Sequence, residues 1–456
     1  MTAPLKARLF RIIDVLSTGL LERDVAVRLA LLAALAGEHL LLVGPPGTAK
    51  SDLARRLSTV FKDATYFERL LTRFSVPEEL FGPLSLASLE HDRYERQIAG
   101  YLPSASIAFI DEIFKANSAI LNALLTLLNE REFDQGTSRI RTPLISVVAA
   151  SNEIPDEDFL AAFYDRFLLR CAVRPVSDDR FCDLLQLPEM QRPNVPATLQ
   201  ISRDEWAQLR DARDGVALPL EVTEALSDLR AFLQAHDVHL SDRRWRRIIG
   251  LLKTAALSND RSAISVWDLW LLQFCAVDRL DQAELVGEWF SARLGTSAAV
   301  NPERFTRVVE AFDAQLALEQ NANDLVYDQH GKLALAQAIG GAESGDAAPR
   351  LSGFIGKRRY GQTHILARVA QVDELIDELD AFAQSIDGQL TSLAEVIGSH
   401  LWVAPQFEPQ ARASLEASRL VIHGLRQRCS ALAAGFSALP MLDRDPGVVP
   451  EPMAAA

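Results

Sequence analysis

Cysteine is scarce in this chain, with four in 456 residues (Cys171, Cys182, Cys275 and Cys429) and no CxxC pair among them. That spacing signals neither a zinc site nor a disulfide framework, and it fits a reducing, cytoplasmic compartment. Positive charge is also in deficit, because 47 Lys and Arg face 61 Asp and Glu, a net charge of −14. A sequence-independent grip on a polyanion works by neutralising phosphates, so nucleic-acid binding is not favoured over the chain as a whole. Long apolar runs are missing too. The opening MTAPLKARLFRIIDVLSTGLLERD is amphipathic, but Arg8, Arg11 and Asp14 interrupt it. No uncharged apolar stretch reaches the ~18 residues of a membrane span, so neither a signal peptide nor an integral membrane segment is expected.

What remains is ordinary globular material, 48% apolar and 24% charged. Its length exceeds what one hydrophobic core supports, so two or three domains are expected. Helical and strand patterns alternate through residues 1–185. EHLLLVGPP, ASIAFIDEI and LISVVAASN are short apolar runs of the kind that form parallel strands buried on both faces, and SDLARRLSTVF and SAILNALLTLLNE are amphipathic helices. This predicts an α/β domain with a parallel sheet and ligands at the carboxyl ends of its strands. Residues 200–290 then read as an all-helical domain, with Ser202, Ser241 and Ser265 as N-caps and SVWDLWLLQFCAV as one helix. Residues 291–440 form a third region. A short irregular or β insertion at about 325–362 includes a hairpin around His330-Gly331, and a long antiparallel helical hairpin follows. Its first helix carries Leu366, Val369, Val372, Ile376, Leu379, Ile386, Leu390, Leu393 and Ile397 at threes and fours; its second carries Leu415, Ile422, Leu425 and Leu432. The last residues, 441–456, are expected to be a disordered tail.

One more absence concerns chemistry. LLLVGPPGTAKSDLARRL almost spells G-x-x-x-x-G-K-[ST], but Ala49 stands where glycine is expected. The context of strand, loop and helix is that of a phosphate loop. The amides of Gly47, Thr48, Ala49, Lys50 and Ser51 remain available, although Pro45 and Pro46 lack theirs, and Gly44 and Pro45 open the turn. Lys50 suits the β and γ phosphates and Ser51 suits Mg²⁺. If position 49 requires φ > 0, alanine costs on the order of 1 kcal/mol, too little to abolish such a site. IAFIDEI delivers Asp111 to a strand end for Mg²⁺ and Glu112 for polarising water. VVAASNEIP places Asn152 at another strand end, where its amide suits orienting water; a turn role is the commoner use of such an Asn. Arg166 in AFYDRFLLR and Arg243 in LSDRRWRR suit transition-state charge across a subunit boundary, with Arg170 and Arg244 as rivals in the same segments.

GPPGTAKS, IAFIDE, ASN, DRF and SDRR, in that order and followed by a helical lid, resemble an AAA+ ATPase of the MoxR group, most closely its RavA branch. The resemblance covers residues 5 to about 290. FGPLSLASLEHDRYERQIAGYLP and LLTLLNEREF strengthen it, because MoxR proteins resemble magnesium chelatase subunits in a helix-2 insertion and an additional hairpin. It implies Walker A residues Lys50 and Ser51, Walker B residues Asp111 and Glu112, sensor 1 at Asn152, an arginine finger at Arg166 and sensor 2 at Arg243. It further implies ATP and Mg²⁺ as cofactors and hydrolysis to ADP and phosphate by a homo-oligomeric ring, typically a hexamer. Such rings remodel or activate partner proteins in a chaperone-like way, commonly beside a von Willebrand A-domain protein. An alanine before the lysine is typical of the group. The segments near Arg93, Tyr94 and Tyr101, and from Phe133 to Arg141, are candidate partner or pore surfaces. RavA proteins carry a discrete domain before the C-terminal helices that binds an inducible lysine decarboxylase; the glycine-rich stretch here is too short to imply that partner. The competing reading is an AAA+ motor on nucleic acid using Arg139 and Arg141, against which stand the acidic net charge and acidic neighbours. A small-molecule kinase or inactive scaffold would not need Arg166, Arg243 and a lid.

Overall fold

The computed structural model describes residues 4–136, 138–153, 163–188, 193–277, 279–294, 302–325 and 355–451. The chain divides into two units, Met1–Phe290 with Glu395–Glu408, and Ser291–Ala394 with Pro409–Ala456.

In the first unit, α1 (Leu5–Ser17) and α2 (Asp24–Ala36) precede β1 (Leu40–Val43), and α3 (Lys50–Ser58) follows it. Then come β2 (Tyr66–Leu70), the short helices α4 (Pro77–Phe81) and α5 (Leu86–Leu89), β3 (Ile107–Asp111) and α6 (Ser118–Glu130). The hairpin β4 (Glu132–Gln135) and β5 (Ser138–Arg141) leads to β6 (Ser146–Ser151) and β7 (Leu169–Ala172). The main sheet has the order β2-β3-β6-β1-β7 and every pair is parallel, with Leu40 opposite both Val148 and Leu169. β1 and β6 are buried along their whole length, which is why LLLV and SVVAAS lack polar alternation. Because all five strands run one way, the turns after β1, β3 and β6 leave from one edge of three adjacent strands. α2 is buried from Ala26 to Ala36; its alanines let it lie close to the sheet, and Gly37 ends it at φ 71°.

The helical part comprises α7 (Phe181–Leu185), α8 (Arg203–Arg213), α9 (Leu220–Ala235), α10 (Asp242–Ser258) and the greater part of α11 (Ala283–Leu294). Ser202 and Ser241 cap α8 and α10 as expected. Ser265 also caps, but Val266–Phe274 is a 3-10 helix rather than an α-helix. Its three-residue repeat lines Trp267 and Trp270 along one ridge. The segment Glu395–Glu408 belongs to this unit. Trp402 and Leu401 are fully buried; Trp402 Nε1 donates to Ser258 Oγ at 2.8 Å, Leu401 N donates to Asn259 Oδ1 at 3.0 Å, and Arg28 donates to Leu401 O.

The second unit contains α12 (Pro302–Asn321), a pairing of β8 (Asn323–Leu325) with β9 (Ile355–Lys357), and the greater part of α13 (Gln362–Ile397) and α14 (Phe407–Ser437). The hairpin expected around His330-Gly331 lies outside the described residues. Leu415, Ile422, Leu425 and Leu432 are buried as their spacing predicts. On α13 the buried seam is Ile365, Arg368, Val372, Leu375, Leu379, Phe382, Ile386 and Leu393, a heptad stripe. Leu366, expected on that face, is 59% exposed. The reason is Arg368: a charged residue sits in the seam, neutralised by Glu319 of α12 at 3.3 Å, and disguises the true stripe from an apolar count. The tail also differs from expectation as far as Glu451. Asp445 accepts from Thr363 N at 2.7 Å, Leu442 N donates to Tyr360 O at 2.9 Å, and Arg368 donates to Glu451 O at 3.0 Å.

Candidate functional site

Ala49 occupies the left-handed region at φ 63°, ψ 24°, immediately before Lys50 begins α3. The loop does need the conformation that glycine adopts most cheaply, and it is made with alanine. Gly47 has φ 80°, while Gly44 is required for a different reason: a Cβ there would lie 2.0 Å from Val173 O at the exit of β7. Lys50 is buried, and its Nζ donates to Gly44 O at 2.7 Å and Pro45 O at 2.8 Å. Burial lowers its pKa, against the opposing pull of Asp111 and Glu112, so the lysine lies within electrostatic reach of both carboxylates. Thr48 closes the turn through Oγ1 to Pro45 O at 3.0 Å. Ser51 lies in the first turn of α3, beside the open amides.

Asp111 ends β3, and burial raises its carboxyl pKa while the Glu112 amide, donating to Oδ1 at 3.0 Å, works the other way. Glu112 is another non-glycine residue at positive φ, 51°, a conformation that costs of order 1 kcal/mol or more and turns its side chain off the strand. Its Oε1 accepts from Asn152 Nδ2, and its Oε2 lies 3.2 Å from Lys115 Nζ. Asn152, just past β6, therefore meets Glu112, just past β3, and the phosphate loop leaves the next strand, β1. Sequence reasoning did not single out Lys115; its offset of three residues from Glu112 was the available signal.

Arg166 and Arg243 are not in this cluster. Arg166 precedes β7, at the amino edge of the sheet, and its Nε is buried with no hydrogen-bond partner. Burial, then Arg243 and Arg247, lowers its pKa. Arg243 is exposed and donates to Asn129 Oδ1 at 2.7 Å. Their rivals are structural. Arg170 is buried, stacks 3.8 Å over the Tyr164 ring and donates to Val277 O at 2.6 Å. Arg244 is buried and reaches Asp165 Oδ1, Leu168 O and Cys275 O at 3.0, 2.9 and 2.8 Å.

The amino acid pattern also missed Arg23. It is buried, and its guanidinium joins Thr48 O at 3.0 Å to Arg174 O at 2.8 Å, tying the phosphate loop to the chain leaving β7. Beside it opens a cavity of about 400 Å³ whose walls include Arg23, Val173, Arg174, Trp270 and Phe274. That volume is in the range of small-molecule sites. The two aromatic rings come from the 3-10 helix, and nothing in their spacing showed that they face a cavity.

The candidate partner segments pack on each other. Gln135 Nε2 donates to Arg96 O at 2.8 Å, and Gly136 lies so close to Tyr94 O that a Cβ would be 2.2 Å away. Tyr94 is 54% exposed, but Phe133, expected on the same surface, is a core residue stacked on Phe81 at 5.5 Å and offers no contact surface. Arg139, which a nucleic-acid motor would need free, is ion-paired with Glu130, Glu132 and Asp134. All four cysteines are free, and among the described residues no helix is long and apolar enough to cross a membrane.

Residues 7–211 match the family described as the MoxR domain in the MoxR-vWA-beta-propeller ternary systems, and residues 221–290 match an AAA lid domain. Two uncharacterized proteins of Methanocaldococcus jannaschii are each 39% identical to this chain. One aligns over 283 residues, 62% of this chain and 73% of that protein; the other over 267 residues, 58% and 69%. Protein MoxR of Paracoccus denitrificans is 31% identical over 151 residues, 32% of this chain and 44% of that protein. With a parallel α/β sheet, a phosphate loop, an acidic strand end and a helical lid already in place, these matches make the chain a member of the MoxR group of AAA+ ATPases.

Proposed function

We propose that this chain hydrolyses ATP to ADP and phosphate as one subunit of a homo-oligomeric ring, hexameric by analogy with its group, and uses the cycle to remodel or activate a partner protein. The observation that carries this reading is the split of the polar residues between the two edges of one sheet. Lys50, Ser51, Asp111, Glu112 and Asn152 sit at the carboxyl ends of β1, β3 and β6, whereas Arg166 and Arg243 belong to the amino edge. A four-residue strand is about 13 Å long, so these arginines serve a neighbour's nucleotide better than their own.

The residues divide the work as follows. The amides from Gly47 to Ser51 and the start of α3 receive the phosphates, and Lys50 exchanges its two carbonyl contacts for phosphate oxygens. Ser51 and Asp111 offer only hard oxygen donors and a single carboxylate, the donor set that suits Mg²⁺ alongside nucleotide phosphates. They would hold it, and the ion would neutralise phosphate charge. Glu112 accepts the proton of the attacking water and Asn152 orients that water, once their mutual hydrogen bond opens to admit it. The cavity lined by Trp270 and Phe274 takes the base. Arg166, with its unpartnered Nε, and the exposed Arg243 stabilise the transferring phosphoryl group in the adjoining subunit.

The partner reading rests on the description of the matching family, which places its MoxR domains in systems with a von Willebrand A-domain protein, and the narrower RavA reading rests on the order of the motifs through about residue 290 together with the helical hairpin layout. The decisive experiment mixes an Arg166→Ala chain into wild type at fixed total concentration. Ring catalysis predicts that turnover falls faster than the wild-type fraction; strict proportionality would overturn the shared site. Chelation of divalent cations is expected to stop turnover in the same assay.

A further inference from the structure

The chain leaving β7 carries a feature that neither the nucleotide site nor the fold uses. Asp178–Arg180 forms one helical turn, and α7 continues it through Phe181, Cys182, Asp183, Leu184 and Leu185. None of these residues is buried: Phe181 is 50% exposed, Leu184 39% and Leu185 69%. Three large apolar side chains on five residues, none turned into the core, form an apolar face without a partner among the described residues of this unit. The place is not arbitrary. Just upstream, Arg174 lines the cavity beside the phosphate loop, and Ser177 N donates at 2.9 Å to Glu22, which lines the same cavity. The apolar face thus adjoins the cleft that the nucleotide reading assigns to ATP.

We infer that α7 and the turn before it dock against the arginine-bearing edge of a second copy of this chain. The inference rests on the proposed shared site, and charge complementarity selects the occupant. The segment 178–185 carries Asp178, Asp179 and Asp183 against the single Arg180. The opposite edge of the sheet carries Arg166 and the exposed Arg243, with Arg247 beside them donating to Arg166 O at 3.0 Å; Arg247 is already paired with Glu38, so the charge left to be met is that of Arg166 and Arg243, which disfavour each other. Like charges gathered at one edge are relieved by an acidic surface opposite them. An acidic, apolar face beside the cleft and a basic face at the other edge make a head-to-tail contact, the kind that closes a ring when the rotation permits. The same approach brings Arg166 and Arg243 toward the neighbour's cleft, so α7 supplies apolar burial to a contact whose arginines supply chemistry.

The test uses the full chain with a non-hydrolysable ATP analogue and Mg²⁺, followed by sedimentation velocity over a concentration series. Leu185→Asp is expected to weaken assembly at least about tenfold, the cost of losing one buried leucine from an interface. Leu185→Met is expected to assemble like wild type. Binding of a fluorescent ATP analogue to dissociated Leu185→Asp chains should stay within about threefold of wild type, since the side chain is exposed and its loss leaves the fold intact. Assembly of Leu185→Asp at wild-type concentrations would overturn this inference and leave the ring reading standing, including the case in which the variant instead loses a von Willebrand A-domain partner. A wild-type chain that stays monomeric throughout would overturn both.

Discussion

Replacing Ala49 with glycine should make the protein more stable and its phosphate loop a poorer one. In the left-handed region an L-residue pays about 1–2 kcal/mol for the approach of Cβ to the following carbonyl, and Ala49 stands there at φ 63°. Glycine removes that cost but gives the unfolded chain more freedom, worth about 0.4–1 kcal/mol in the other direction. The difference is a net stabilisation of roughly 0.5–1 kcal/mol, read as a higher urea midpoint with an unchanged slope. Nucleotide affinity should move the opposite way. Alanine limits the conformations open to the loop before phosphate arrives, so glycine adds an ordering cost on binding, and affinity for a fluorescent ATP analogue should fall by up to about threefold. Ala49→Val is the counter-test: a β-branched side chain at positive φ should lower stability by more than about 1 kcal/mol. If Ala49→Gly lowered the midpoint, or abolished binding, the alanine would not be a strained member of a working loop and the argument would fail.

The arginine assignments predict a split phenotype. Arg166→Ala and Arg243→Ala should cut turnover by about 10³-fold or more with little change in the unfolding midpoint, whereas Arg244→Ala should cost about 2–4 kcal/mol of stability by leaving the carbonyls of Leu168 and Cys275 without their donor; equal melting of all three variants would refute the distinction. Acidification should destabilise the first unit through His400, whose pKa lies below 6.5 chiefly because it is buried, with Arg261 and Lys6 adding to the effect and Asp268 opposing it. The unfolded chain protonates before the folded one, so stability is complete above about pH 6.5 and falls below it by at most about 1.4 kcal/mol per pH unit for this residue. His400→Gln should flatten that slope, and an unchanged slope would show that another group is responsible. Removing residues 291–456 while keeping the whole region matched by the two families should yield a chain that unfolds at lower denaturant and exposes apolar surface; a melting profile equal to the full chain would refute the role given to the segment around Trp402.

The parts of the site that were legible in the sequence are those whose chemistry is contiguous. Eight residues from Gly44 to Ser51 spell the loop because the phosphate donors proposed for it are adjacent amides, and Asp111, Glu112 and Asn152 are readable because each stands at or just past the end of a strand whose burial is written in its own side chains. Strand order decides that Glu112 and Asn152 touch, and order is a long-range property. The choice between Arg166 and Arg170, or between Arg243 and Arg244, was closed to sequence reasoning for a related reason. Each pair sits within one short segment, and only packing reveals that Tyr164 and Val277 occupy Arg170, while Asp165 and Cys275 occupy Arg244. Arg368 made the same point in the second unit, where a buried ion pair hid a heptad seam.

The segment Glu395–Glu408 shows why the boundary of a recognised family is not the boundary of its folded unit. The matched lid ends at residue 290, yet the buried polar groups behind it are satisfied from more than a hundred residues downstream. His400 Nδ1 accepts from the amides of Trp402 and Val403, at 3.1 and 3.2 Å, so its proton sits on Nε2 and points to Asp268 Oδ1 at 2.9 Å. Burial pushes the Asp268 carboxyl up, but hydrogen bonds from His400 and Arg261 outweigh it, and the acid stays ionised in a fully buried position. Asp268 in turn accepts from Ser265 N at 2.8 Å and so fixes the start of the 3-10 helix whose Trp270 and Phe274 wall the cavity. On its other side Trp270 packs against Phe407, their centroids 6.0 Å apart. Ser258 and Asn259, at the end of α10, hold Trp402 and Leu401, while Arg243 stands in the first turn of the same helix. The lid elements that line the cavity and carry Arg243 thus owe their buried charge balance and part of their core to this downstream segment, so the nucleotide site cannot be understood from the family region alone.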